Sequence, residues 1–244
     1  GALLGGQLYS GVADQVDGQL WRSNGSVGGT VPIAIPTPGS ASAVELATAA
    51  GAFVFFEFSD PSAGAELWRT DGTAAGTIRL ADIRPGSQAA QIGEIVALGA
   101  IVLFTASDGT SGIELWRSDG TPGGTALVKD IAPGGATSDP SELTAVGGTL
   151  FFSADDGVNG HELWRSDGTP GGTVLVKDIR PGATDGNPFE LTAVGSNLFF
   201  GASDGTNGYE HWMWDDTTSP PRPVQGFHTK DELELMQQRR STRK

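Results

Sequence analysis

Short apolar runs separated by breaks rich in glycine and aspartate fill the chain, and the clearest stretch lies between Pro140 and Gly182. Glu142-Leu143-Thr144-Ala145-Val146 reads as a first strand, Gly147-Gly148 as a tight turn, and Thr149 to Ala154 as a second strand. A longer polar loop, Asp155 to Gly160, leads to a third strand, His161 to Ser166. The break Asp167-Gly168-Thr169-Pro170-Gly171-Gly172 precedes a fourth strand, Thr173 to Ile179, which Arg180-Pro181-Gly182 ends.

The pattern recurs. Trp21, Trp68, Trp116, Trp164 and Trp212 stand at intervals of 47, 48, 48 and 48 residues. The third copy reads Glu114-Leu115-Trp116-Arg117-Ser118-Asp119-Gly120-Thr121, and the fourth repeats it from Glu162 to Thr169. A fixed period of this length marks a supersecondary unit that stacks on its neighbours. Four antiparallel strands in ~40–50 residues, repeated, are the arithmetic of a β-propeller blade. The expected fold is therefore all-β, a propeller of five four-stranded blades over residues 1–227. A segment of a larger propeller and an open stack are the rivals. The fourth strand of the fifth copy is poor, because Pro223 cannot donate to a ladder. The last segment, 228–244, reads as a short basic tail. Thr229 and Glu232 form a capping-box pattern there, and a helix is expected from Lys230 to about Arg240.

Charge narrows the function classes. The net charge is −14. From Pro220 onward six bases face three acids, so the body before it carries −17. Such a body repels phosphate backbones and argues against nucleic acid as a partner. With no cysteine there is neither a disulfide framework nor a thiolate metal site. The most apolar stretch, Ala43 to Phe58, is too short and too charged for a membrane span. A chain opening at Gly1, without methionine or a signal-like segment, reads as a mature or excised piece.

Glu-Leu-Trp-x-x-Asp-Gly-Thr, followed by Gly-Gly-Thr and Lys-Asp-Ile-x-Pro-Gly, resembles the ELWxxDGT repeat proteins, over residues 1 to about 216. The first copy departs at Gln19 and Asn24, and the fifth at His211 to Asp216. The resemblance implies a bacterial protein that is secreted or at the cell surface, in a family mostly without assigned activity. The Ser118-Asp119-Gly120 turn loosely resembles the Asp-box hairpins of sialidase-like propellers. Five blades of this size resemble five-bladed lectin propellers in scale alone.

The repeated Trp reads better as filler between blades than as a sugar platform. Glu66, Glu114, Glu162 and Glu210 lie two residues before each Trp, and ion pairs with Arg69, Arg117 and Arg165 between blades are one expectation. Asp71, Asp119 and Asp167 fit turn formers. Because strands alternate in direction, the loops joining strands two to three and four to one emerge at one end of each blade. That end gathers Asp108, Asp156, Asn159, Asp204 and Asn207, with Asp139, Asp185 and Asn187 nearby, and is the expected ligand-binding face. The loop from Asp155 to Glu162 lacks calcium-loop spacing, so no cofactor is expected and calcium is a minor alternative. The three histidines are not spaced for zinc. No nucleophile elbow, phosphate loop or zinc-protease motif occurs, and the polar residues are copied from blade to blade. The expectation is thus a non-catalytic binding or adhesion propeller for an extracellular glycan or protein ligand. A structural spacer domain is the alternative, and a glycan hydrolase the third.

Overall fold

A computed structural model describes residues 1–13, 18–35, 42–60, 62–215 and 220–224. They form five antiparallel four-stranded sheets, each built in sequence order. Blade 1 holds β1 (Ala2–Leu4), β2 (Gln7–Ala13), β3 (Gly18–Ser23) and β4 (Thr30–Ile33). Blade 2 holds β5 (Ser42–Ala50), β6 (Phe53–Asp60), β7 (Gly64–Thr70) and β8 (Ile78–Arg79). Blade 3 holds β9 (Ile95–Leu98), β10 (Ile101–Ser107), β11 (Ile113–Ser118) and β12 (Ala126–Lys129). Blade 4 holds β13 (Ser141–Val146), β14 (Thr149–Asp155), β15 (His161–Ser166) and β16 (Val174–Lys177). Blade 5 holds β17 (Phe189–Val194), β18 (Asn197–Ser203), β19 (Tyr209–Trp214) and β20 (Arg222–Pro223). A single turn of 3-10 helix, Pro122–Gly124, interrupts the strands. The fold class read from the period is therefore the observed one. The helix expected over 230–240, and the whole tail 228–244, lie outside the described residues.

The chain divides into two compact units, Gly1–Pro140 with Gly168–Pro170, and Ser141–Asp167 with Gly171–Lys244. In the first, Val54, Phe56, Phe58 and Trp68 of blade 2 pack on Ala2, Tyr9, Leu20 and Ile33 of blade 1. The opposite face of blade 2, with Phe55, Leu67 and Leu80, packs on Val102, Phe104 and Trp116 of blade 3. In the second unit, Phe151, Leu163 and Ile179 of blade 4 pack on Leu198, Phe200 and Trp212 of blade 5. Successive residues of a strand face opposite ways, so a Phe-Val-Phe-Phe run supplies two cores at once. Trp68 (4%), Trp116 (9%), Trp164 (5%) and Trp212 (4%) retain little exposure, as fillers between blades should. Trp21 is half-buried.

The strand limits differ from the sequence reading at the fourth strand. β16 ends at Lys177 because the N–H groups of Ile179 and Arg180 turn away from the ladder to the Glu162 carboxylate. At the first strand, Leu46, Glu142 and Glu190 have φ of 53°, 60° and 51°, and the register slips beside each. The slip frees a threonine that ties one blade to the next. Thr48 Oγ1 donates to the Ile95 carbonyl at 2.8 Å, and Thr144 Oγ1 to the Leu191 carbonyl at 3.0 Å. Two-residue β20 pairs Arg222 with Met213 and Pro223 with Trp212, which makes it the poor strand its proline predicts.

Candidate functional site

The recurrent polar residues turn out to be scaffold. Glu66, Glu114 and Glu162 are fully buried. Ion pairs with Arg69, Arg117 and Arg165 are not what hold them. Instead each carboxylate grips backbone. Glu66 accepts from the N–H of Ile83 (2.9 Å) and Arg84 (3.1 Å). Glu114 accepts from Ile131, Ala132 and Ser138 N–H groups and from the Ser138 hydroxyl at 2.6 Å. Glu162 accepts from Ile179, Arg180 and Gly186. The clamp fixes the connector running from one blade to the next. Burial drives these carboxyls upward and outweighs the backbone hydrogen bonds, which pull the other way, leaving Glu66 and Glu162 at about 7 and Glu114 raised. The arginines act elsewhere. The Arg69 guanidinium lies 3.8 Å from the centre of the Phe53 ring, and Arg117 donates to the Gly168 carbonyl at 3.2 Å.

The Asp-Gly-Thr turn is equally accounted for. Asp119 Oδ1 accepts from Thr121 N–H (2.8 Å) and Thr121 Oγ1 (2.7 Å), and Thr121 Oγ1 accepts from Gly124 N–H. The hydroxyls of Ser118 and Thr125 close the turn from behind at 2.7 Å. Asp71 does the same with Thr73, and Thr70 with Thr77. A side chain at Gly76, Gly124 or Gly172 would collide with the aspartate five residues earlier, which explains the glycine at that place in the motif. The Thr73 and Thr121 hydroxyls and N–H groups hold Asp71 and Asp119 below the usual carboxylate range.

The expected ligand residues occupy the loops between second and third strands. Asp108 Oδ1 accepts from Thr110 (2.7 Å) and Ser111 (2.8 Å) N–H groups. Asp156 accepts from Val158 and Asn159 N–H groups and from Asn159 Nδ2 at 2.8 Å. Asp204 accepts from Thr206, Asn207 and, at 3.2 Å, Asn207 Nδ2. Asp156 with Asn159, and Asp204 with Asn207, are thus brought together as intraloop pairs. Burial pulls Asp108 and Asp156 upward, but the N–H donors win and hold both low; Asp204 is lowered chiefly by the Asn207 N–H. Asp60 in blade 2 closes its loop through Ser62 and Ala63 in the same way. Among the described residues no group of three or more His, Cys, Asp or Glu is placed to hold a metal. Nor is any helix there long and apolar enough to cross a membrane.

One feature at the same end of the blades escaped the sequence reading. In the second unit a cleft of about 580 Å³ opens between blades 4 and 5, lined by Glu142, Ser153, His161, Asn187, Phe189 and Tyr209. Its floor is stitched together. The Asp185 carboxylate accepts the His161 N–H at 2.9 Å, and the His161 carbonyl accepts the N–H groups of Gly186 and Asn187, each at 3.1 Å. Glu142 Oε2 reaches across to the Leu191 N–H at 3.2 Å. Asn187, with φ of 47°, aligns with Asp139 (43°) and Gln91 (54°) in earlier copies, so this backbone strain belongs to the blade rather than to the cleft. Phe189 and Tyr209 meet edge to face, ring centres 5.5 Å apart, and retain 39% and 65% of their exposure. The signal available in the sequence was a pair of aromatic residues at places that vary from copy to copy. Phe189, Gly201 and Tyr209 stand where blade 4 has Ser141, Ser153 and His161.

No protein-family model matches the chain, and no curated protein sequence matches it. Solved structures do. A prolyl endopeptidase, from a study of inter-domain dynamics in two such enzymes, is 18% identical with a TM-score of 0.58, over 94% of this chain and 34% of its own. A puromycin-hydrolysing peptidase of Mycobacterium tuberculosis is 13% identical with a TM-score of 0.54, over 93% of this chain and 38% of its own. The computationally designed protein Ika8 is 18% identical with a TM-score of 0.51, over 93% and 62%. This chain is a β-propeller fold. It spans about a third of the length of either peptidase and under two thirds of the designed protein, and the likeness is one of fold.

Proposed function

We propose that the protein is a non-catalytic recognition module, secreted or at the cell surface, that binds a glycan at the loop-bearing end of its blades. The observation that carries this reading is the cleft between blades 4 and 5, where two exposed aromatic rings stand beside a carboxylate, an amide and an imidazole. Rigid, mostly preformed concavities with a few polar groups and exposed aromatics are where small ligands bind. The resemblance to ELWxxDGT repeat proteins supports an extracellular setting. Absence of a catalytic role is favoured by the use of the recurrent acids. Glu66, Glu114, Glu162, Asp71 and Asp119 each accept hydrogen bonds from their own scaffold, which ill suits proton transfer to a substrate. The same observation favours a second reading, a spacer domain whose repeated residues serve the fold alone. A glycan array probed with the intact chain tests the two. Saturable binding to any glycan supports recognition, whereas a blank array together with a normal melting curve supports the spacer. Release of reducing ends from a bound glycan would overturn the non-catalytic reading.

A further inference from the structure

The cleft sits at places where the copies differ from one another: blade 3 has Gly93, Thr105 and Ile113 there, and blade 4 has Ser141, Ser153 and His161. Across β13 and β14, Ser141 pairs with Ser153; at the matching place in β17 and β18, Phe189 pairs with Gly201. A side chain at position 201 would run into the Phe189 ring, so the bulky residue needs the glycine opposite it. The Phe189 ring then meets Tyr209, which replaces His161 of blade 4. These three residues together place two aromatic rings at the surface. The core does not require them there, since Trp212, Phe200 and Leu198 already fill the boundary between blades 4 and 5. Exposed apolar groups rimmed by polar ones mark interaction sites.

We propose that this cleft is a single-copy site for a neutral oligosaccharide, with Tyr209 as the stacking platform and Glu142, Asn187 and His161 as hydroxyl partners. The inference rests on the recognition reading above and narrows it to one site per chain. Ligand chemistry follows from the walls. The two rings meet edge to face, and the exposed Tyr209 offers a ring face for the C–H side of a sugar ring. The polar wall holds one carboxylate with an amide, an imidazole and a serine hydroxyl. That mixture of donors and acceptors suits hydroxyl groups arrayed round a ring. A phosphorylated ligand would bring its charge to Glu142 in a chain of net charge −14.

The test titrates the intact chain with cellotetraose, xylotetraose, mannotetraose and chitotetraose by calorimetry, beside the glycan array. One ligand per chain is expected for at least one probe. Tyr209→Ala and the double change Phe189→Ser with Gly201→Ser, which restores the blade 4 pair, are each expected to weaken it at least tenfold with melting temperature unchanged. Asp119→Ala, at the Asp-Gly-Thr end of blade 3, is expected to leave affinity within twofold. Array binding that survives Tyr209→Ala, or a stoichiometry of several ligands per chain, overturns the cleft while recognition stands. A chain that binds nothing on the array or in the calorimeter overturns the recognition reading and the cleft with it.

Discussion

The two ends of a blade use their acids in the same way, yet the end with the longer loops also holds a cleft. At the Asp-Gly-Thr end, carboxylate, hydroxyls and glycines close on one another so tightly that no methyl group fits at Gly124. At the other end Asp108, Asp156 and Asp204 close their loops just as fully. The difference lies between blades 4 and 5, where the loop and connector backbones hold a cleft open. A repeated acid is therefore a poor guide to a site in this molecule.

The contrast can be broken most easily at the blade interior, where the largest effect is expected. Trp116→Ala should lower stability by about 3–5 kcal/mol, the usual cost of truncating a buried large aromatic. Calorimetric unfolding showing no loss would mean the ring is available to ligands, and the division between scaffold and site would fail. Glu114→Ala comes next. It strands the donors that now converge on one carboxylate, at a cost of roughly 2–4 kcal/mol, measurable by urea unfolding. Glu114→Gln should recover part of it.

Acid pH sharpens the comparison because the two groups of acids respond with opposite sign. Glu66 and Glu162 sit near 7 when folded and near the ordinary glutamate value when unfolded. Their contribution is fully present below about pH 4.5 and is lost as pH rises through about 7. Asp71, Asp108, Asp119, Asp156 and Asp204 are lowered by folding. They stabilise above about pH 4, and that contribution goes as pH falls through their folded values. The melting temperature should accordingly rise from pH 8 to about pH 5 and fall again below about pH 4. A flat profile between pH 8 and 5 would mean that the clamps are not buried as described.

Smaller effects separate the ends themselves. Asp119→Ala and Asp156→Ala should each cost about 1 kcal/mol, because each opens a turn held by backbone donors. Tyr209→Ala should change stability by less than about 0.5 kcal/mol. A larger loss would make the tyrosine a structural residue and remove the platform.

Much of the fold was legible because it is periodic. The interval between tryptophans gave the blade, the breaks gave its turns, and His161–Ser166 matched the third strand residue for residue. The role of the repeated glutamates was not legible, because their partners are backbone N–H groups, which every residue but proline carries. A pattern of side chains contains no trace of such a bond. The cleft was hidden for another reason. Its aromatic residues are separated by 20 positions in one copy and meet only across β17, β18 and β19. Reading for what copies share set aside the places where they differ.

The glutamate clamp also bears on how such a chain can change length. Glu66 and Glu162 reach residues 17 and 18 positions onward, and Glu162 also the residue 24 onward, as Glu114 does. Everything inside that reach, from the third strand through the Asp-Gly-Thr turn to the connector, is measured against a fixed ruler. An insertion or deletion there would slide the donors off the carboxylate. The hairpin joining the first two strands and the loop joining the second to the third lie outside the ruler. Those two segments can lengthen without moving the clamp, and one of them borders the end of the blade that holds the cleft.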